Sequence, residues 1–237
     1  MKTSLRDKER LWNEADASPE DFAALFTADS LDAAARAVRS GEKADVDAAR
    51  PQVSSHESRH TTHLCTADES GLTISLTHTL GNPSGYIPAG TGFVLNGGMS
   101  TFDPRPGHVN SIQPGKRRNT TMAPVVVMSG DEPVVAIGAP GASWITPAVA
   151  QGISNILDFG MSAQEAVMAP RVVATSNAID ISNRIPRRVQ TAVEDMGYEV
   201  RRSALSYAFA GVHALTRFEG TLAGGADPQR DGYASGV

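Results

Sequence analysis

The spacing of apolar positions changes once along the chain, and that change divides it. Through residue 49 the apolar positions recur at helical spacing. Ser18-Pro19-Glu20-Asp21 is a helix start, with an N-cap, a proline at the first helical position and acids facing the helix dipole. A second start is predicted at Ser30, with "LDAAARAVRSG" (31–41) closing on Arg39 and a stopping Gly41. Residues 50–60 are polar and read as a linker. From Thr61 the period is two. In "GLTISLTHTL" (71–80) Leu72, Ile74, Leu76 and Leu80 alternate with Thr73, Ser75, Thr77 and Thr79, which predicts a strand with one apolar and one hydroxyl face. "GFVLN" (92–96) is a further predicted strand, and "PVVVMSGDEPVVAIG" (124–138) a hairpin turning at residues 129–132. An amphipathic helix follows, capped by Thr146, stopped by Gly160 and burying Val149, Ile153, Ile156 and Leu157. Ser162 and Glu165 form a capping box for a short helix ending before Pro170. A strand (178–182), a helix (186–196) and strands near 197–202, 210–217 and 221–225 complete the pattern. Strands, two helices, then strand, helix and strands predict a layered α+β fold with antiparallel sheets.

Composition narrows the function classes. The chain has 237 residues, enough for one large domain or two small ones, and 41% hydrophobic with 20% charged residues is ordinary for a globular protein. A net charge of −5 argues against nucleic acid or an anionic membrane as partner. One cysteine, Cys65, excludes an internal disulfide, and six scattered histidines give no zinc spacing, so neither metal nor cofactor is expected. No apolar run approaches the ~20 residues that span a bilayer. "MKTSLRDKERLW" is charged where a signal peptide is apolar, so the chain as written is expected in the cytoplasm; a longer parent protein could be exported.

The candidate chemistry begins at "HTTHLCTAD" (60–68). Thr61-Thr62 is either a plain strand start or a nucleophile waiting to become an N-terminus. Depending on whether the loop in "DESG" (68–71) counts three or four residues, Thr61 faces Thr79 or His78 across a hairpin. Either register brings the Thr77/Thr79 hydroxyls near Thr61, on a face that reads equally as a wet one. "GAPGAS" (138–143) is a tight strand-to-helix turn or a loop whose amides hold an oxyanion. "PGKRRNTTMAP" (114–124) is a solvated loop or a basic, hydroxyl-bearing anion site.

In this order, "TTH…THTL", "GFVLNGGMSTFDPRPGH…PGKRRNTTMAP", "GAPGAS", "DFGMSAQEAVMAPR" and "GGADPQRDG" resemble the catalytic half of the gamma-glutamyltransferases over roughly residues 50–237. The resemblance implies an N-terminal-nucleophile hydrolase with a four-layer αββα sandwich. It implies a chain that cuts itself between His60 and Thr61, making Thr61 the nucleophile with its own α-amine as base. It carries Thr79 over as the hydroxyl bonded to the nucleophile, Thr120 and Thr121 as a pair holding the substrate's α-carboxylate, and Gly141 and Ala142 as the oxyanion hole. Ala142 keeps an N–H for that role provided the loop needs no positive φ there. The expected substrate is glutathione or another γ-glutamyl amide.

Two departures shape the expectation. The acid that pairs with the γ-glutamyl ammonium aligns with Thr101, a site-lining glutamine with Gly98, and an asparagine with Gly81, for which Asn82 substitutes after a slip of one. Loss of the acid leaves room for a glutaryl- or cephalosporin-type acylase. The family's large subunit is also mostly missing, so residues 1–60 are expected to be a helical remnant of it plus linker, and 61–237 the catalytic region of an incomplete sandwich. The chain is then a natural fragment, a mis-started longer protein, or one subunit that needs a large-subunit partner chain. The competing reading is a non-catalytic remnant or structural partner subunit.

Overall fold

Alternating small and branched residues in two hairpins build the centre of the molecule. In the computed structural model, which describes residues 1–13, 18–46, 60–107, 110–118 and 120–236, β1 (Thr61–Ala67) pairs antiparallel with β2 (Thr73–Thr79). The second hairpin, β3 (Val125–Ser129) and β4 (Glu132–Gly138), turns at Gly130-Asp131 as the sequence predicts. It joins β8 (His213–Phe218) and β9 (Thr221–Ala226) in a four-stranded antiparallel sheet ordered β3-β4-β8-β9.

Each face of that sheet is covered. On one lie α4 (Ile145–Leu157) and α5 (Ala163–Met168), whose Ile145, Ala148, Val149, Ile156, Ala166 and Val167 form the main core with Val135, Ile137, Val212 and Ala214. Gly152 admits Ile137 there, since a Cβ on it would meet the Ile137 methyl at 2.7 Å. On the other face lies the β1-β2 hairpin, with the Ser75 hydroxyl donating to the Ile137 carbonyl at 3.1 Å. Hairpin, sheet and helices are three successive layers.

The hairpin's orientation corrects the simplest reading of its pattern. Thr61, His63 and Thr77 are buried against the sheet, whereas Leu64, Leu72, Ile74 and Leu76 are exposed. The hydroxyl face is the inner one because its small side chains meet a close-packed backbone. At Gly138 a Cβ would fall 2.3 Å from the His63 ring.

A smaller unit follows: β5 (Val172–Val173), β6 (Ile179–Ile181), α6 (Arg187–Asp195) and β7 (Val200–Arg202). Here β6 and β7 are parallel, joined through α6, so the expectation of purely antiparallel sheets fails. A helix between two strands reverses the chain twice and returns it in the same direction. The Gln151 side chain pins this unit to α4, accepting from Val172 N at 3.0 Å and donating to its carbonyl at 2.7 Å. The N-terminal helices α1 (Lys2–Asn13), α2 (Pro19–Ala24) and α3 (Ala28–Arg39) lead to Val46, whose N–H donates to Asn177 Oδ1 at 2.8 Å.

Several local expectations shift. The capping boxes at Ser18/Asp21 and Ser162/Glu165 form. The third helix starts at Thr27 rather than Ser30: Thr27 is extended and accepts from Ser30 N. Residues 92–96 form no strand: they meet residues 83–86 through a bridge between Pro83 and Asn96, with Ser84 N donating to the Leu95 carbonyl and Leu95 N to the Tyr86 carbonyl, both at 3.0 Å. Pro83 has no N–H to extend the pairing. Thr146 lies inside α4, since a 3₁₀ turn at Ala142–Trp144 runs straight into the helix, and Leu157 is exposed at its end. The linker expected at 50–60 lies outside the described residues apart from His60.

Candidate functional site

Pairing decides the first contact. Thr61 opens β1 directly opposite Thr79, the last residue of β2, so the three-or-four-residue ambiguity resolves in favour of Thr79. Their hydroxyl oxygens lie 2.7 Å apart. Thr79 Oγ1 donates to the carbonyl of His60 at 3.1 Å and accepts from Gly81 N at 2.8 Å. A hydroxyl has one proton, so with that of Thr79 on His60 the 2.7 Å contact has Thr61 as donor. The His60 carbonyl also accepts from Leu80 N at 3.1 Å. The peptide bond preceding Thr61 therefore has two donors on its oxygen and a hydroxyl beside it.

Behind Thr61 runs a polar ladder. His63 Nδ1 lies 2.7 Å from Thr77 Oγ1, and His63 Nε2 lies 3.1 Å from Cys65 Sγ. Burial, with His213 nearby as a lesser cause, lowers the His63 pKa to about 4. Burial also pushes the Cys65 thiol up to about 12 and lowers His213, against an opposing pull from Asp227. At neutral pH this ladder carries no charge. It supplies packing and orientation beside Thr61, not a charged base.

The other predicted residues reach this point by different routes. Gly97 N donates to the Leu80 carbonyl at 2.9 Å, which fastens the 3₁₀ turn Gly98–Thr101 to the end of β2. Asn82 is exposed, and its carbonyl packs so tightly on Gly97 that a Cβ there would sit 2.1 Å away. Thr101 turns its hydroxyl to the Gly98 carbonyl at 2.8 Å. Thr120 and Thr121 are exposed in the loop before β3, and Thr120 Oγ1 accepts from Met122 N at 3.1 Å. Arg118, in the same loop, lies against Gly98.

Gly141 and Ala142 follow β4, three and four residues after the Gly138 that receives the His63 ring. Their φ angles are 142° and 51°. The loop does require a positive φ at Ala142, the condition under which the sequence reading put its role in doubt, and the alanine adopts it. No side chain fits at Gly141, where a Cβ would meet that of Ala210 at 2.5 Å.

Two groups escape a sequence reading. The buried Arg171 guanidinium donates to the carbonyls of Val167 (2.7 Å), Phe209 (3.3 Å) and Ala210 (2.9 Å) and pairs with buried Asp227. Phe209 and Ala210 are left-handed (φ 70° and 67°) and back the Gly141 loop, with Gly211 N donating to the Pro140 carbonyl. The other is the donor pair on the His60 oxygen, the Leu80 N–H and the Thr79 hydroxyl. Both Arg171 and Asp227 stand within quoted motifs, but nothing local marks a charge as buried. Among the described residues no cluster of His, Cys, Asp or Glu has the geometry to hold a metal.

Comparison with known proteins agrees with the resemblance read from the sequence. Residues 1–237 match the sequence model of the gamma-glutamyltranspeptidase family. The chain is 40% identical over 184 residues to the acylase ACY 1 proenzyme of Pseudomonas sp. (strain SE83), covering 76% of this chain and 32% of that protein. It is 31% identical over 180 residues to the glutathione hydrolase proenzyme of Bacillus subtilis (strain 168), covering 75% and 31%. The chain thus spans about a third of the length of these curated relatives. A variant of Helicobacter pylori gamma-glutamyltranspeptidase superposes with a TM-score of 0.63 at 29% identity, over 71% of this chain and 99% of that one. Cephalosporin acylase from Bacillus halodurans does so with 0.65 at 29%, over 72% and 33%. The three layers are a partial αββα N-terminal-nucleophile sandwich.

Proposed function

Because the chain belongs to the gamma-glutamyltranspeptidase family, we propose that it carries the nucleophile of an amide-cleaving acyltransferase or hydrolase that first cuts its own backbone before Thr61. The observation that carries this reading is the His60 carbonyl, held by Leu80 N and Thr79 Oγ1 beside the Thr61 hydroxyl. Thr61 Oγ1 attacks the His60 carbonyl carbon. Its proton passes to the Thr79 oxygen while Thr79's own proton goes to the developing oxyanion, and Leu80 N–H stabilises the charge. The proton on the former oxyanion then passes to the Thr61 nitrogen as the carbonyl re-forms and the His60–Thr61 C–N bond breaks, and water hydrolyses the resulting ester. His60 is left as a carboxylate and Thr61 as a free N-terminus.

The same hydroxyl then acts on substrate. The liberated α-amine, with pKa about 8, takes the Thr61 proton as general base, which no charged side chain of the ladder does. Attack on an acyl amide expels its amine with a proton and leaves an ester on Thr61, which water or an acceptor amine resolves. Gly141 and Ala142 N–H groups hold the oxyanion, and Thr120, Thr121 and Asn82 bind the acyl group. The glutathione hydrolase relatives favour γ-glutamyl amides such as glutathione as substrate class. A second reading, acylase action on other acyl amides, is favoured by the uncharged Thr101 and by the 40% identity to an acylase proenzyme. A large-subunit partner segment supplies the rest of the pocket in either reading.

The test is self-cleavage. Purified protein, incubated and analysed by intact mass, should yield two chains, the larger beginning Thr61-Thr62-His63. Thr61→Ala should stay whole and lack amidase activity, Thr62→Ala should suffer less, and Thr79→Val should cleave about a hundredfold more slowly. A single intact mass after long incubation with a relative's large-subunit segment would sink the proposal.

A further inference from the structure

The turn after Asn96 is built on two glycines that the fold cannot replace. A Cβ on Gly97 would lie 2.1 Å from the Asn82 carbonyl oxygen, and one on Gly98 would lie 2.8 Å from Asn96 Oδ1. Glycine follows Asn96 because the chain packs there backbone against backbone. Asn96-Gly97 is also the one asparagine-glycine step in the sequence; the other seven asparagines all precede residues that carry a side chain. Asn96 is exposed, and Gly98 N donates to its Oδ1 at 2.9 Å. Gly97 N donates to the Leu80 carbonyl, also at 2.9 Å.

We propose that Asn96 is a self-modification site: its side-chain amide is lost to attack by the Gly97 nitrogen, and the uncharged turn Gly98–Thr101 gains a carboxylate beside it. Gly97 N gives up its proton to solvent and bonds to Asn96 Cγ. The Cγ–Nδ2 bond breaks, Nδ2 takes a proton from solvent and leaves as ammonia, and a five-membered imide remains. One water opens the imide at either carbonyl, giving aspartate or isoaspartate. Two features favour the attack. A glycine nitrogen has no β-carbon beside it to block the approach. The Gly98 N–H, already on Oδ1, meets the charge that develops on that oxygen. One feature restrains it: the Gly97 proton is engaged by the Leu80 carbonyl, so the step waits for that bond to open. Leu80 follows Thr79, so the pace of the modification depends on how firmly the end of β2 holds the turn. The new charge forms near a cation, since Arg118 Cδ and Nε lie 2.9 Å from the same Cβ position on Gly98. Aspartate keeps the Gly98 bond as a charge-assisted one, whereas isoaspartate adds a methylene to the main chain and shifts Gly97 against Leu80. The inference stands apart from the acyl-transfer reading and needs only the folded chain.

The test ages Thr61→Ala, a single uncut chain, in mildly alkaline buffer beside a synthetic peptide of residues 94–101. Isoelectric focusing should show one new acidic band that migrates with freshly made Thr61→Ala carrying Asn96→Asp. Peptide mapping should place the amide-to-acid mass gain at residue 96, and an isoaspartyl methyltransferase should label the same fragment. Conversion should be slower than in the peptide, because the bond to Leu80 must open first. Adding Asn96→Gln, whose imide would need a six-membered ring, should remove the band. Asn96 still wholly an amide after an incubation several times longer than the peptide requires would overturn the proposal. So would another asparagine converting first, or an acidic band that survives Asn96→Gln.

Discussion

Ala142 shows how much a single residue carries. It holds φ 51° with a β-carbon, a conformation that costs an L-residue about 1–2 kcal/mol. The loop keeps it because Ala210 closes the space beside Gly141 and the Ala142–Trp144 turn starts α4, so the backbone path is set from both sides. Ala142→Gly should therefore stabilise the protein by about 0.5–1 kcal/mol in urea unfolding, after allowing for glycine's greater freedom when unfolded, and should keep the N–H on offer to an oxyanion. A loss of stability would mean that the loop does not hold this conformation in solution. Thr79 is legible at the same scale, since its type and position are in the sequence. Its partners are less so, because the His60 carbonyl and Gly81 N–H are backbone groups with no residue signature.

Among the elements, the first hairpin makes the strongest demand. His63 is held neutral between β1 and the sheet, its pKa at about 4 against an ordinary 6.5, chiefly through burial. Between those values the unfolded chain binds a proton that the folded one refuses. This contribution to stability is present in full above pH 6.5 and is lost as pH falls toward 4. The interval limits the effect to about 3 kcal/mol. His213, lowered in the same direction, adds to it. The melting temperature should climb from pH 4 to 6.5 and then level, and the climb should be shallower in His63→Gln. A flat profile in the parent, or an equal slope in the variant, would show that His63 is not held neutral. The alternation of residues 71–80 predicted the strand correctly but left open which face turns inward, because that is fixed by Gly138 and Ile137, some sixty residues away.

For the molecule as a whole, the outward face of that hairpin is the anomaly. Leu64, Ile74 and Leu76 are 40%, 45% and 46% exposed on one surface, with Leu72 more exposed still. The αββα sandwich of the family places a helical layer on each outer face, and among the described residues this one has none. Contiguous apolar surface of this kind drives association. The 237-residue protein alone is expected to self-associate with rising concentration in light scattering, with little turnover of a γ-glutamyl chromogenic amide. Leu64→Thr with Leu76→Thr, matching the threonines at 62 and 66 on the same face, should reduce the association. A monodisperse, fully active parent at high concentration would mean that residues 1–60 contribute more of the site than their sequence suggests.

The sequence by itself determined what depends on near neighbours. The capping boxes at Ser18 and Ser162, the turn at Gly130-Asp131 and the hairpin that opens at Thr61 all rest on groups within about twenty residues of one another, so residue type and spacing specify them. The register that sets Thr61 opposite Thr79 rather than His78 came from the structure. The ordered motifs from Thr61 to the terminal "GGADPQRDG" likewise identified the family, since each sits at a turn or strand end whose chemistry is local. Tertiary structure alone decided which hairpin face is buried, that Arg171 and Asp227 are an interior pair behind the Gly141 loop, and that Arg118 occupies the space Gly98 leaves open. In those cases the deciding partner lies 20 to more than 60 residues away. A residue's type does not encode its solvent exposure; that is set only when distant segments pack and displace water.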